Sequence, residues 1–345
     1  MEFKIAFIGF GVVGQGLAEI LLSDKHELQQ KNNFSYSVVA ISDKLKGSIY
    51  NSKGLDLEKV LALVRSNTSL EEYPQAEKKG WDSLQTIKDS NANVIVEVSW
   101  TDIQTGEPAL THVKTALNLK KHVVLTNKGP IALAVDQLLT LAKKNNVQLK
   151  FEGTVVSGTP VLNLGLNNLA GSKITEIQGI LNGTTNYILT EMEKGMSYTN
   201  ALAQAQKLGY AEADPTGDVE GWDALGKVVI LTNTLMHYPL TKDQVEREGI
   251  TNITLENVQQ AAKEGMRWKL IASTKIAENG HVKASVKPIK LPLSNPLASI
   301  SGPTNALTFK TKYLGDVTIV GPGAGKEATG FALLADLLEI NRYYK

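Results

Sequence analysis

The segment from Gly209 to Lys227, GYAEADPTGDVEGWDALGK, gathers five carboxylates and one lysine into nineteen residues and runs directly into the apolar stretch Val228-Val229-Ile230-Leu231. Charges in such a setting are costly to bury unless they meet one another or a polar ligand. Gly and Pro in the first half predict a loop, and the second half predicts a buried helix. Asp223 and Lys227 are four residues apart, so they share one helix face in the favoured acid-first order. An acidic loop feeding a buried helix with an Asp–Lys pair suits a small-molecule active site. The same spacing also fits a capped helix with one ordinary salt bridge.

The elements that would position this pair begin at the N-terminus. Lys4–Ile8 is a short apolar strand, followed by Gly9-Phe10-Gly11-Val12-Val13-Gly14 and a helical pattern through Leu22. Strand, GxGxxG and helix in this order mark a dinucleotide site. The glycines permit a tight turn and close backbone approach to a pyrophosphate, and the helix N-terminus offers N–H groups to its oxygens. Residues 37–43 supply a second strand ending at Asp43, where an acid would hold the adenosine ribose hydroxyls. Polar residues 23–36 form an insertion that lengthens the usual spacing. Lys44 and Lys46 would suit a 2′-phosphate, so NAD and NADP both stay open, and Asp43 also fits a plain turn residue. Further buried strands are expected at 93–99 and 122–126, with a helical run at 110–119 between them. Strands alternating with helices imply a parallel sheet, whose ligands bind beyond the carboxyl ends of the strands. Ser99, Trp100, Thr101 and Asn127-Lys128-Gly129-Pro130 fall there. Lys128 is thereby placed to face nicotinamide and substrate, the alternative being a solvated surface lysine.

From Lys150 the rhythm changes. Residues 151–160 read as a small-residue strand or loop, 174–181 as a strand, and Asn182-Gly183-Thr184-Thr185-Asn186 as a turn entering a helix from Tyr187 to about Lys194. That turn would make a carboxylate cradle or a simple helix cap. Residues 197–208 and 242–275 read as helical, and 281–291 and 305–320 as strands of a sheet that could pair with a second subunit. Gly321-Pro322-Gly323-Ala324-Gly325-Lys326 precedes a last helix, Ala328 to Ile340. It is one residue short of a phosphate-binding P-loop and carries Glu327 where Ser or Thr should meet magnesium. A second glycine turn beside the cofactor site fits better. The expected organisation is α/β: a Rossmann-type dinucleotide-binding domain (1–150 with 317–345), and an α+β substrate-binding and dimerisation domain (151–316) inserted before the C-terminal helix.

Bulk properties narrow the function. In 345 residues, 36 basic and 35 acidic side chains nearly cancel, with no block of one sign. Nucleic acid is therefore not the expected partner. Absence of cysteine excludes disulfides, thiolate metal sites and a cysteine nucleophile. His26, His112, His122, His237 and His281 form no metal-ligand spacing. With a strand expected at once after Met1 and no apolar run of bilayer length, neither a signal peptide nor a membrane partner is expected, and cytoplasm is the default location.

Taken together, GILNGTTNYILTEM (179–192), LGYAEADPTGDVEGWDALGK (208–227), HVVLTNK (122–128), FEGTVVSGTPV (151–161) and GPGAGKEATG (321–330) resemble the homoserine dehydrogenase family over nearly the whole chain. The resemblance implies reduction of aspartate 4-semialdehyde to homoserine with NADH or NADPH, on the branch toward threonine, isoleucine and methionine, by a homodimer. It implies that Lys227 is the proton donor and Lys128 a second essential lysine. Glu212 and Asp223 would hold the substrate's ammonium and hydroxyl ends, with Asp218, Tyr210, Gly183 and Thr184 completing the pocket. Cofactor contacts are implied for Gly9 to Gly14, Asp43, Ser99, Thr101, Lys128, Gly209, Glu212, Gly323 and Gly325. Glu152, with Val155, Ser157 and Thr159, resembles a sodium site, since carbonyl oxygens and one carboxylate suit a hard cation; a structural acid is the alternative. Ser99-Trp100-Thr101 departs from the family's Gly-rich turn, and the chain matches a short form without the regulatory tail. Two other readings remain open at this point: another amino-acid dehydrogenase of similar build, and a non-catalytic dinucleotide sensor.

Overall fold

The computed structural model describes residues 2–344; Met1 and Lys345, where the outer bounds of the expected first domain fall, lie outside the described residues. The fold is α/β, with a Rossmann-type domain and a second domain built on its own sheet. Two compact units result, one from residues up to Gly158 together with those from Gly325 onward, the other from Thr159 to Ala324.

The first unit holds a seven-stranded sheet formed by β1 (Glu2–Ile8), β2 (Ser35–Asp43), β3 (Gly47–Tyr50), β4 (Lys78–Lys79), β5 (Val94–Glu97), β6 (His122–Leu125) and β7 (Leu149–Lys150), in the order β4-β3-β2-β1-β5-β6-β7. Strands β2, β1, β5, β6 and β7 run parallel. Their continuous apolar runs follow from burial on both faces: Ile5 to Ile8 and Val94 to Val96 have no exposed surface. The helix Val12–Ser23 packs against the last helix, Lys326–Tyr343. Their contact is closest at paired glycines, where a Cβ on Gly330 would stand 2.6 Å from the Gly16 carbonyl carbon. Side chains there would force the two helices apart.

The second unit holds a six-stranded sheet formed by β8 (Ile174–Ile180), β9 (Val245–Arg247), β10 (Met266–Ile276), β11 (Val282–Pro292), β12 (Thr304–Thr311) and β13 (Gly315–Pro322), in the order β13-β12-β8-β10-β11-β9. The helices Gly183–Glu193 and Trp222–Leu235 contact this sheet. Trp222–Leu235 is buried at every position from Ala224 to Thr234.

Several local expectations differ from the structure for identifiable reasons. Residues 242–275 are not helical throughout: a helix covers Leu255–Lys263, and β10 follows. Gly265, at φ 69°, turns the chain in the left-handed region, and the β-branched residues after it suit the sheet. Within the expected insertion 23–36, Lys25–Asn32 is helical. The expected strand or loop at 151–160 contains the helical turn Gly153–Val156. The helix expected from Tyr187 starts four residues earlier, at Gly183, capped by Asn182 Oδ1 accepting from the Thr185 N–H at 2.9 Å. The unit boundaries fall after Gly158 and Ala324, whereas the composition shifts lie near 150 and 316. Residues 317–324 stay with the second unit because Val317 to Pro322 pair with β12.

Candidate functional site

In the second unit the charged segment folds onto the start of the helix Gly183–Glu193. Asp218 lies on the short helical turn Thr216–Val219, and Asp223 and Lys227 lie one turn apart on Trp222–Leu235. Asn182 joins them: its Nδ2 donates to Asp218 Oδ1 at 2.6 Å and to Asp223 Oδ2 at 3.1 Å. Lys227 Nζ sits 2.8 Å from Asp223 Oδ2 and donates to the Leu181 carbonyl oxygen at 2.6 Å. At 7 % exposure Lys227 is a buried ammonium, tolerable only because an acid and a carbonyl meet it. Burial pushes the Asp218 carboxyl above the usual carboxylate range, the Asn182 hydrogen bond opposes that rise, and nearby Asp223 adds to it. Two acids thus face one lysine. With both acids ionised, these three side chains sum to one negative charge.

The remaining predicted substrate residues divide. Thr184 joins the group, donating from Oγ1 to the Tyr210 carbonyl oxygen at 2.5 Å. Gly183 has no room for a side chain, since a Cβ would stand 2.6 Å from the Pro303 carbonyl oxygen. Tyr210 is partly exposed and its ring lies 5.0 Å from that of Tyr187. Glu212 is exposed, and its carbonyl oxygen, not its carboxylate, accepts from Gln206 Nε2 at 3.0 Å. Gly209 is on the same exposed loop, at φ 76°.

In the first unit the glycine turn is built from backbone. Gly9 has φ 90°, and a Cβ there would stand 2.5 Å from the Val98 carbonyl oxygen. At Gly11, by contrast, a Cβ would meet nothing within 4 Å. Its bareness leaves open space at the start of Val12–Ser23, a helix terminus that no side chain caps. The Phe10 ring is fully buried, so only its backbone can serve a ligand; Val12 is exposed and Val13 half-buried. Asp43 Oδ2 accepts from the Phe10 N–H at 2.7 Å, and Oδ1 accepts from the Leu45 and Lys46 N–H groups, each at 2.9 Å. Asp43 thus shapes its own turn and touches the glycine loop.

Beyond β5, Ser99 Oγ donates to Glu97 Oε1, and His112 Nδ1 lies 3.3 Å from the same oxygen. The Ser99 hydroxyl is thus turned back into the protein. Thr101 is half-buried and Trp100 exposed. Asn127 Nδ2 donates to the carbonyls of Ser99 and Trp100, while its Oδ1 caps the helix that opens at half-buried Lys128. Of the last glycine turn, Gly323 belongs to the second unit and Gly325 opens the helix Lys326–Tyr343 in the first. Lys326 pairs with Glu19 at 2.8 Å. Glu152 and Val155 are buried, and Ser157, at φ 50°, bonds Thr329 at 2.7 Å. Thr159 falls in the second unit, where its hydroxyl donates to the Pro322 carbonyl.

Three residues that the sequence motifs did not single out contact the expected site residues. Asn182 had only its place before Gly-Thr-Thr as a signal. Glu97 was visible as an acid inside an apolar strand. Asp336 was visible as an acid inside the apolar last helix; its Oδ2 accepts from the Glu152 N–H at 3.0 Å, while its buried Oδ1 has no hydrogen-bond partner. Burial and the neighbouring Glu152 charge push its carboxyl well above the usual range.

Comparison with known proteins decides the family. A family model described as homoserine dehydrogenase matches residues 160–338, and one described as its NAD binding domain matches residues 9–152. The chain belongs to the homoserine dehydrogenase family. An NAD(+)-dependent homoserine dehydrogenase of Pseudomonas canavaninivorans is 43% identical over 99% of this chain and 97% of its own. The homoserine dehydrogenase of Methanocaldococcus jannaschii is 41% identical over 97% and 98%. Among solved structures, a hyperthermophilic archaeal homoserine dehydrogenase in complex with NADPH matches with a TM-score of 0.85 at 31% identity, covering 100% of this chain and 99% of its own. The enzyme of Thiobacillus denitrificans also matches with a TM-score of 0.85, at 30% identity, covering 100% of this chain and 74% of the other. As a homoserine dehydrogenase, this chain is an NAD(P)-dependent oxidoreductase acting on a small molecule. Among its described residues no helix is long and apolar enough to cross a membrane.

Proposed function

We propose that the chain interconverts L-aspartate 4-semialdehyde and L-homoserine, with Lys227 giving the proton and the acids around Asn182 holding the substrate. The observation that carries this reading is the Asp218–Asp223–Lys227 set, in which two acids face one buried lysine. An amino-acid substrate brings an ammonium that acidic side chains can bind, and analogues lacking it would forgo that interaction. When bound, the nicotinamide supplies the hydride to the aldehyde carbon. Lys227 then donates a proton to the developing alkoxide, and its positive charge stabilises that oxygen beforehand. The Leu181 carbonyl and Asp223 aim the ammonium of Lys227. Glu212 joins the acids of this unit, and Lys128 is assigned its role in the first unit, on the strength of the family resemblance.

The glycine turn supports the cofactor part of the reading, since Gly11 and the uncapped start of Val12–Ser23 leave space and donors for a pyrophosphate. NAD is preferred in this proposal. Asp43 uses three acceptor positions on its own chain, and its carboxylate leaves Oδ2 able to take a ribose hydroxyl. A 2′-phosphate there would meet like charge. Glu152 and Asp336 fit a monovalent cation in the same unit, because the unpartnered buried Asp336 Oδ1 is a hard oxygen donor. A homodimer belongs to the same reading, and light scattering at twice the 37.3 kDa chain mass would support it.

A spectrophotometric assay tests the whole. Oxidation of NADH with aspartate 4-semialdehyde, at least about 100-fold above that with aldehydes lacking the amino group, is the expected outcome. Equal rates across that panel would overturn the assignment of the acids.

A further inference from the structure

Strand β9 and the turn after it grip the chain between Asp218 and Asp223. At that joint the helical turn Thr216–Val219 ends and Gly221, at φ 80°, redirects the chain into Trp222–Leu235. The Arg247 guanidinium lies over the Trp222 ring, 3.7 Å from its centroid. Its Nη1 donates to the Glu220 carbonyl oxygen and lies 3.6 Å from Glu220 Oε2. Thr251 Oγ1 donates to Glu220 Oε1 at 3.0 Å, and the Ile250 N–H to the Val219 carbonyl at 2.8 Å. The backbones touch as well: a Cβ on Gly249 would stand 2.3 Å from the Val219 carbonyl oxygen. The gripping strand is itself fixed, because Arg247 pairs with Val286 of β11 and the Glu248 N–H donates to the Val286 carbonyl at 2.8 Å.

We propose that Arg247 is a positioning residue for the substrate-ammonium site, holding the Glu220–Trp222 joint so that Asp218 and Asp223 both reach Asn182. The proposal rests on the reading in which those acids bind the substrate. Its distinctive consequence comes from what the joint does and does not support. Lys227 is anchored outside the joint, by the Leu181 carbonyl and by a helix buried from Ala224 to Thr234, and its partner Asp223 rides on that same helix. Asp218 rides on a four-residue helical turn whose first two residues, Thr216 and Gly217, are exposed. Loosening the joint therefore displaces Asp218 and leaves Lys227 in place. Substrate binding suffers while proton donation survives. A flat guanidinium is needed, since it stacks on the indole and bonds the carbonyl in the same plane-on geometry, which an ammonium cannot reproduce.

The test is steady-state kinetics of Arg247→Ala and Arg247→Lys, with NADH affinity measured separately by fluorescence. The expected result for Arg247→Ala is a rise of about tenfold in KM for homoserine, with kcat within about threefold and NADH affinity unchanged; Arg247→Lys falls between. A role in stability alone would lower the thermal midpoint without moving KM, and that result overturns the proposal. So does a parallel loss of kcat and NADH affinity. If Arg247→Ala does not fold, Trp222→Leu removes the same stack and is read the same way. Asp218→Asn separates the two levels. If it keeps a normal KM for homoserine, the underlying reading fails; if its KM rises while Arg247→Ala keeps a normal KM, only the positioning role fails.

Discussion

The two units build their sites from different materials. The glycine turn of the first unit is almost all backbone: an N-terminal helix end, a φ of 90° at Gly9, and a carboxylate, Asp43, spent on N–H groups of its own chain. The site of the second unit is almost all side chain: two acids, a buried lysine and an amide that ties them. Backbone sites depend on conformations that few residues allow, so their tolerance is set by sterics. Side-chain sites depend on a charge balance, so their tolerance is set by electrostatics. A common cofactor suits the first kind of site and a particular substrate the second.

The sharpest way to break this contrast is at Lys227. Lys227→Ala should lower kcat by about 100-fold or more, with NADH affinity unchanged by fluorescence titration. Retained turnover would mean that the proton comes from elsewhere. Gly9→Ala is the steric counterpart. It places a Cβ 2.5 Å from the Val98 carbonyl at a φ of 90°, so urea unfolding should show a loss of about 1–3 kcal/mol, with weaker NADH binding and little change in homoserine KM at saturating cofactor.

A smaller effect should follow from Asn182. The pKa of Asp218 is raised by burial and held back by the Asn182 amide. Ammonium binding needs the ionised acid, so kcat/KM for homoserine should fall as pH drops through that raised value, above the ordinary carboxylate range. Removing the amide in Asn182→Ala should move this acid limb to still higher pH. A limb that stays fixed would show that Asp218 does not set it.

The smallest effect lies far from either site. Burial lowers the His122 imidazole to about 4 from its ordinary 6.5. Its native state therefore resists protonation while the unfolded chain accepts it. The stability this histidine contributes is complete above pH 6.5 and is lost as pH falls toward 4. His122→Phe should flatten that part of the urea-stability profile by on the order of 3 kcal/mol.

The contrast also explains what could be read from the sequence. The GxGxxG turn was legible because backbone geometry forces glycine at fixed positions next to a strand and a helix. The charges of 212–227 were legible as a concentration, and the i, i+4 spacing gave the Asp223–Lys227 pair. The partners were not legible. Asn182 is 36 residues from Asp218 and 41 from Asp223, and the Leu181 carbonyl that receives Lys227 has no side-chain signature at all. Strand β10 was misread because its Lys269, Arg267 and Lys275 sit among apolar residues without strict alternation, while the left-handed Gly265 that ends the preceding helix is a weak signal by itself. Arg247 was invisible for the same reason as Asn182: its partners Glu220 and Trp222 lie in another part of the chain.

A fluorescence titration of NADH against the double variant Asp218→Asn, Lys227→Ala tests the division of labour most directly. The account predicts NADH affinity within about twofold of the unaltered protein, with homoserine oxidation abolished in the same preparation. A large loss of NADH affinity would contradict it, because the charged set of the second unit would then be part of the cofactor's own binding site.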